Sequence, residues 1–236
     1  VLLMVGGGLL GTVKAGLTVP VGLVAIGAGL AVGVAGISAI GQGIVSGSGI
    51  SSVTDKSKMF GKSILFSVLP ETQALYGFLI SVLLLIGGGI LGEFNPGLTV
   101  PVGLVAIGVG LSVGVAAISA IGQGIAASSG VASITENEKT FGKSILFSVL
   151  PETQALYGTI IAILMLTGAG LMGTVKAGIT VSQGLGGIGV GFAIGLAAIS
   201  AVGQGVVSGS SIAGILRNPK SMGKSLVLSV IPETYA

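Results

Sequence analysis

Cysteine and histidine are both absent from the 236 residues. The first absence excludes disulfides, thiolate metal sites and cysteine nucleophiles. The second removes the commonest metal ligand and the commonest general base. Charge is scarce too, at 7% of residues, and a formal net charge of +3 on so few groups gives no sign of a nucleic-acid partner or an acidic substrate. What fills the chain is apolar: 51% hydrophobic residues and a mean hydropathy of +1.08 make it an integral membrane protein in contact with lipid. Glycine supplies 45 residues with no collagen-like period, against a usual level of about 7%. In a membrane such an excess lets helix backbones approach closely, where no hydrophobic force drives helices together.

The chain repeats itself at intervals of 81 residues. Residues 61–77, G-K-S-I-L-F-S-V-L-P-E-T-Q-A-L-Y-G, recur unchanged at 142–158, and G-L-T-V-P-V-G-L-V-A-I-G at 16–27 recurs at 97–108. Each repeat holds two apolar stretches of about 30 residues, more than the roughly 20 that cross a bilayer. The pattern predicts an all-α membrane protein of tandem transmembrane helical hairpins. Inner helices, called A, are expected at 19–50, 100–132 and 181–214, and outer helices, called B, at 58–91, 139–172 and 220–236. The A-to-B turns S-S-V-T-D-K-S-K, S-I-T-E-N-E-K and L-R-N-P-K are polar. The B-to-A turns G-E-F-N-P-G and G-T-V-K-A-G carry less charge. In these terms residues 1–18 are the end of a truncated outer helix plus a turn, 19–92 a first hairpin, 93–173 a second, and 174–236 a third with a truncated outer helix. Both ends align with helix interiors, where severed backbone groups lack partners, so we expect a window onto a longer concatemer or a cyclic assembly. Eight basic residues flank the A-to-B turns (Lys56, Lys58, Lys62, Lys139, Lys143, Arg217, Lys220 and Lys224), and two, Lys14 and Lys176, lie on the other side. That bias puts the A-to-B turns in the cytoplasm.

One acidic residue recurs inside the apolar B stretches: Glu71, Glu152 and Glu233, each after a proline (Pro70, Pro151, Pro232). A carboxylate at membrane depth is costly enough to be a functional claim by default. Helix A carries a small-residue stripe, Gly22, Gly29 and Gly33, repeated as Gly103, Gly110, Gly114 and Gly184, Gly191, Gly195, which favours an inner row of closely packed A helices. Near the cytoplasmic end of each lies one glutamine: Gln42, Gln123, Gln204. Such a residue can simply glue helices together, but its recurrence with the glutamate points to a shared site. Successive helical residues turn by about 100°, so Glu71 and Gln73 point to nearly opposite sides and one hairpin cannot offer both to one ion. In a closed circle Glu152 meets Thr72 and Gln73 of the hairpin before it. Proline removes a backbone hydrogen bond and displaces nearby carbonyls, which then face a cation, and hard cations take oxygen ligands.

The L-P-E-T-Q-A-L-Y-G and P-E-T-Y-A words, the glycine-striped partner helix and the short polar turn resemble the proteolipid of the rotor ring, the c or K component, of V-type and archaeal A-type rotary ATPases. The resemblance covers the whole chain. It implies that the hairpins form part of a rotor ring with further copies. Such a ring turns against a static membrane stator subunit, docks a central stalk on its cytoplasmic turns, and passes Na⁺ or H⁺ in the membrane of an archaeal-like prokaryote. It also implies the ligand sets: Gln123 and Glu152 with Leu69, Thr72 and Gln73, and Gln204 and Glu233 with Leu150, Thr153 and Gln154. Tyr76 and Tyr157 resemble a family tyrosine that hydrogen-bonds the carboxylate. Glu71 with Gln42 would be completed by whatever hairpin precedes it. In the third repeat Thr234 is kept, but Tyr235 replaces the glutamine and Ile231 the leucine; a site built against that face lacks one amide. Three retained carboxylates imply a high ion count per turn.

A carboxylate facing lipid travels either protonated or paired with a bound cation. The two glutamines and the threonine are more oxygens than a proton needs, which favours Na⁺; the alternative is that the amides only hydrogen-bond a protonated glutamate. G-K-S at 61–63 and 142–144 is not a P-loop, since the required earlier glycine is Lys56 or Asn137. The chain is therefore read as a non-catalytic subunit with no nucleotide site, no cofactor and Na⁺ or H⁺ as coupling ion. Lys62 and Lys143 are expected as membrane-interface anchors, and Asp55, Lys56, Lys58, Glu136, Glu138 and Arg217 as solvated turn charges. A secondary transporter would show inverted repeats and broken helices, and a structural pore-forming ring would turn its glutamates inward.

Overall fold

The computed structural model describes residues 18–92, 95 and 97–236. The expected outer-helix end and turn before residue 18, including Lys14, lie outside the described residues, as do Glu93, Phe94 and Pro96 of the G-E-F-N-P-G turn. Among the described residues five helices are long and apolar enough to cross a membrane: Val19–Asp55, Ser57–Gly87, Val100–Glu136, Glu138–Gly168 and Val181–Arg217. They alternate A, B, A, B, A, in agreement with tandem hairpins.

Each A helix comes in two pieces: α1 (Val19–Ala35) and α2 (Ser38–Asp55), α5 (Val100–Ala116) and α6 (Ser119–Glu136), α9 (Val181–Ala197) and α10 (Ser200–Arg217). Each B helix is likewise divided: α3 (Phe60–Ser67) and α4 (Thr72–Gly87), α7 (Phe141–Val149) and α8 (Thr153–Gly168), then α11 (Met222–Val230). Proline accounts for the B interruption, where Leu69–Glu71, Leu150–Glu152 and Ile231–Tyr235 tighten into 3-10 turns. The A interruption has no proline; there Ala39 N–H bonds the Gly36 carbonyl at 3.1 Å and Ala120 N–H the Ala117 carbonyl at 3.0 Å, three residues back rather than four. Apolar periodicity continues through these points, so the sequence reads there as unbroken helix.

The A helices also run past their expected ends, to Asp55, Glu136 and Arg217. Serine and threonine make those stretches look like turns, yet the hydroxyls of Thr54 and Thr135 bond the carbonyls of Ile50 and Val131 at 2.9 and 2.7 Å, which keeps them compatible with helix. The turn itself is one extended residue, Lys56, Asn137 or Asn218, then a 3-10 turn. The Asn137 and Asn218 side chains accept from the N–H two residues on. The B helices stop a few residues early, at Gly87 and Gly168. Gly89 and Gly170 just beyond adopt φ of 66° and 76°, and Ile90 N–H and Leu171 N–H reach back to the Leu85 and Leu166 carbonyls, a left-handed glycine cap.

The chain divides into two compact units. One is built from the segments ending at Ala35 and from Tyr76–Val115 and Gly158–Leu196. Its core is Val24, Ala28, Ile80, Leu84, Ala106, Val109 and Leu166. There the glycine stripe of α5 lies against Leu23, Gly27 and Leu30 of α1, and that of α9 against Leu104, Gly108 and Leu111 of α5. Gly22, Gly29 and Gly33 have no neighbour in reach among the described residues.

The other unit, Gly36–Leu75, Ala116–Tyr157 and Ala197–Ala236, carries every expected glutamate and glutamine ligand. Its inner row is α2, α6 and α10, with α6 in the middle. On this row α3 covers α2 and reaches α6, while α7 covers α6 and reaches α10. Gly41 and Gly122 set the spacing, because a Cβ on either would overlap the Ala120 or Ala201 carbonyl of the next inner helix. The outer row is keyed by aromatic rings: Phe66 lies against Gly130 with Ala127, Val131 and Ile134, and Phe147 against Ile212 and Ile215. Gly122→Ala forces α6 and α10 apart at an expected cost of about 1–3 kcal/mol. The assembled protein should then break down at a lower temperature on a denaturing gel, and an unchanged temperature would contradict this close approach.

Candidate ion-binding sites

Glu71 and Glu152 lie near the middle of the apolar spans Ser57–Gly87 and Glu138–Gly168. Each glutamate closes a 3-10 turn whose second residue is proline. Proline at this point is the local cause of the geometry: the Thr72 N–H bonds the Leu69 carbonyl three residues back, and Thr153 does the same with Leu150. The threonine hydroxyls turn to the same carbonyls, at 3.0 and 2.9 Å.

From there one continuous set of hydrogen bonds crosses from the first repeat to the second. The Thr72 hydroxyl lies 3.1 Å from the Gln73 side-chain oxygen, the Gln73 amide donates to the Gln123 oxygen at 2.7 Å, and the Gln123 amide donates to the Glu152 carboxylate at 3.1 Å. The second repeat meets the third in the same way. Thr153 lies 3.1 Å from Gln154, Gln154 donates to Gln204 at 2.8 Å, and Gln204 donates to Glu233 at 3.2 Å. Tyr157 adds a phenol donor to Glu233 at 2.5 Å. All four amide side chains are at most 1% exposed, so the bonds are made out of water. Buried amides keep their partners because an orphaned donor or acceptor costs about 1–3 kcal/mol.

Each network has one proton too few. A threonine hydroxyl has a single hydrogen, yet the Thr72 oxygen lies within bonding distance of two acceptors, the Leu69 carbonyl and the Gln73 amide oxygen. Thr153 faces the same pair at Leu150 and Gln154. The oxygens of one leucine, one threonine, one glutamine and one glutamate therefore belong to a single local network with an excess of lone pairs. That is the donor set a hard monovalent cation would fit.

Among the expected site residues, Leu69, Thr72, Gln73, Gln123 and Glu152 come together, and so do Leu150, Thr153, Gln154, Gln204 and Glu233. Glu71 accepts from the Gln42 amide of its own hairpin at 3.4 Å and is exposed among the described residues. Tyr76 is half-buried and belongs to the other compact unit. Pro70 and Pro151 are buried and Pro232 half-buried. In the third repeat Thr234 bonds the Ile231 carbonyl at 2.7 Å, and Tyr235 is 79% exposed.

One feature was not expected from sequence. Glu138 pairs with Lys58 at 2.5 Å and Lys62 at 2.6 Å, tying the first turn to the second, so these three are partners as well as solvated or interfacial charges. The signal was that Glu138 stands where the other repeats have Ser57 and Pro219. Such exposed pairs contribute little to stability.

The family model described as the ATP synthase C subunit matches this chain three times, at residues 26–84, 107–165 and 188–236. The K subunit of the A-type ATP synthase of Methanocaldococcus jannaschii is 45% identical over 92% of this chain and 92% of its own. The K subunit of the V-type sodium ATPase of Enterococcus hirae is 30% identical over 56% of this chain and 81% of its own. The 16 kDa proteolipid of the V-type proton ATPase of Ovis aries is 31% identical over 52% of this chain and 76% of its own. A triple match in register with apolar hairpins, each with its own glutamate, means that the chain belongs to the ATP synthase C-subunit family, the ion-translocating membrane proteolipids of rotary ATPases.

Proposed function

We propose that this protein carries Na⁺ through the membrane on Glu71, Glu152 and Glu233, each ion held between two neighbouring hairpins of a rotor ring. The observation that carries this reading is the twice-repeated network in which one threonine hydroxyl serves two acceptors beside a carboxylate. A bound cation resolves the shortage. It takes the lone pairs of the leucine carbonyl, the threonine and glutamine oxygens and the carboxylate, and leaves the hydroxyl proton one acceptor. The inner glutamine, Gln123 or Gln204, holds the carboxylate and the outer glutamine at once. In the second of these sites Tyr157 fixes the free side of Glu233.

The three hairpins 19–92, 93–173 and 174–236 act as three carriers. Neutralised, each glutamate can face lipid as the ring turns; the bare charge is tolerated only where a static membrane subunit offers water and a positive group. Alternation between these states couples ion flow to rotation. The A-to-B turns, with eight of the ten basic residues nearby, face the cytoplasm and dock a central stalk.

Carbodiimide, which modifies protonated carboxyls, tests the ion. In the detergent-purified complex Na⁺ should slow modification of Glu152 and Glu233. The protection should weaken as pH falls, because a proton competes for the same oxygen. Labelling that follows pH but ignores Na⁺ would assign the sites to H⁺ instead.

A further inference from the structure

We propose that the third hairpin holds water between its inner and outer helices, in a file that enters at the A-to-B turn and ends beside the Gln204–Glu233 pair, and that the second hairpin excludes it. The inference goes beyond the carrier reading and stands on contacts within single hairpins, whichever ion is carried. Its starting point is one hydroxyl. Ser208 on α10 is fully buried, and its Oγ has no hydrogen-bond partner among the described residues. Leaving a buried hydroxyl unpaired costs about 1–3 kcal/mol. Because the described residues already enclose it, a neighbouring chain cannot reach this hydroxyl; a small polar guest inside the hairpin can.

Spacing sets where the hydroxyl points. Ser208 follows Gln204 by four residues and precedes Ser211 by three, which puts all three on one face of α10. That face meets the outer helix of its own hairpin at both ends: Gln204 donates to Glu233 at 3.2 Å, and the hydroxyls of Ser211 and Ser229 lie 2.9 Å apart. Ser208 therefore sits between two polar rungs. A buried water takes about two to four polar partners, and the Ser208, Ser211 and Ser229 hydroxyls and the Gln204 amide supply them. Nearer the turn the seam stays polar. The Ser211 hydroxyl also lies 3.4 Å from the Ser225 carbonyl, and Ser225 and Ser221 are half-buried, so hydroxyls line the way from the surface inward.

The second hairpin differs at each of these points. Ala127 and Gly130 stand where the third has Ser208 and Ser211, and the Phe66 ring lies against Gly130. Ser144 on α7 is buried and unpaired there too, yet Ala127 and Gly130 give a guest no second partner from the inner helix. The mouth is closed as well. Ser133 donates to Thr140 at 2.9 Å, and Thr140 donates to the Asn137 carbonyl at 2.7 Å. Their counterparts in the third hairpin are Gly214 and Ser221. Glycine has no hydroxyl to close with, and a Cβ on Gly214 would meet nothing among the described residues, while Ser221 turns to the Asn218 carbonyl at 2.8 Å. Glu233 thus gains a wet link to the A-to-B turn that Glu152 lacks.

The chain has no cysteine, so Ser208→Cys and Ala127→Cys each place the subunit's single thiol at the same position of two hairpins. Silver ion, small enough to follow water, is applied to the purified complex, and protection of the thiol from later alkylation in denaturant is read from the subunit's mass. Only an ionised thiol reacts, and a dry apolar seam disfavours it, so Ser208→Cys should react about tenfold faster than Ala127→Cys or more. Adding Gly214→Ser, which restores the hydroxyl that closes the mouth, should slow the reaction at position 208 toward the Ala127→Cys rate. Equal rates, or a rate that Gly214→Ser leaves unchanged, overturn the inference. Ser208→Ala gives a second reading. In a dry seam alanine removes an unpaired hydroxyl and raises the temperature at which the complex breaks down; with water bound it takes a partner away and lowers that temperature. A raised or unchanged temperature overturns the inference and leaves the carrier reading standing.

Discussion

Glu152→Gln should abolish ATP-driven ion uptake by vesicles carrying the assembled complex, while the complex itself still forms. The amide is close in shape to the carboxylate, and an amide oxygen can still accept from the Gln123 side chain, now 3.1 Å from Glu152. Packing around α7 and α6 is therefore spared. What is lost is the carboxylate's full charge, which in the proposed function holds Na⁺ and answers a positive group on a static subunit. Full charges in low dielectric are worth several kcal/mol, so uptake should fall by about 10²-fold or more. Initial uptake rates in reconstituted vesicles, normalised to the amount of assembled complex, measure it. Uptake above half the wild-type rate would mean that Glu152 is not a carrier.

Gln123→Leu should have the second largest effect, on affinity. Gln123 is fully buried and stands between Gln73 and Glu152, accepting from one and donating to the other. Leucine fills a similar volume but leaves the Gln73 amide without its acceptor and the carboxylate without its donor. An orphaned buried polar group costs about 1–3 kcal/mol, so the Na⁺ concentration that half-protects Glu152 from carbodiimide should rise by about 10- to 100-fold. Glu233 has its own glutamines and should keep its protection. An equal shift at both glutamates would mean that the substitution disturbs the fold rather than one site.

Much of this protein is legible without coordinates. Composition alone puts it in the membrane, since no soluble chain could cover so many apolar residues with so few charges. The 81-residue spacing separates the hairpins, and helix rotation already excludes a site in which Glu71 and Gln73 of one hairpin share an ion. The A helices were harder to bound. Ser51, Ser52 and Thr54 look like turn residues, and only the back-bonding of Ser51 and Thr54 hydroxyls to carbonyls four residues earlier shows why helix persists to Asp55. The Glu138 pairs were hidden for a related reason. A charge in a turn is read as solvated unless a neighbour one repeat away, here Lys58 and Lys62, is known to lie beside it.

Residue type and spacing thus determined by themselves the membrane class, the all-helical architecture and which side chains carry charge or amide, because these follow from local periodicity and from the cost of burying each group. Only the tertiary structure decided that an inner glutamine bridges its own glutamate to the outer glutamine of the preceding repeat, and that one hydroxyl proton is shared by two acceptors. The shared proton is a local contact within the outer helix around Leu69, Thr72 and Gln73, whereas the bridge depends on how near two inner helices come. That distance is set by the carbonyls of Ala120 and Ala201 lying where Gly41 and Gly122 have no side chain, a contact between residues about 80 positions apart that no local pattern encodes.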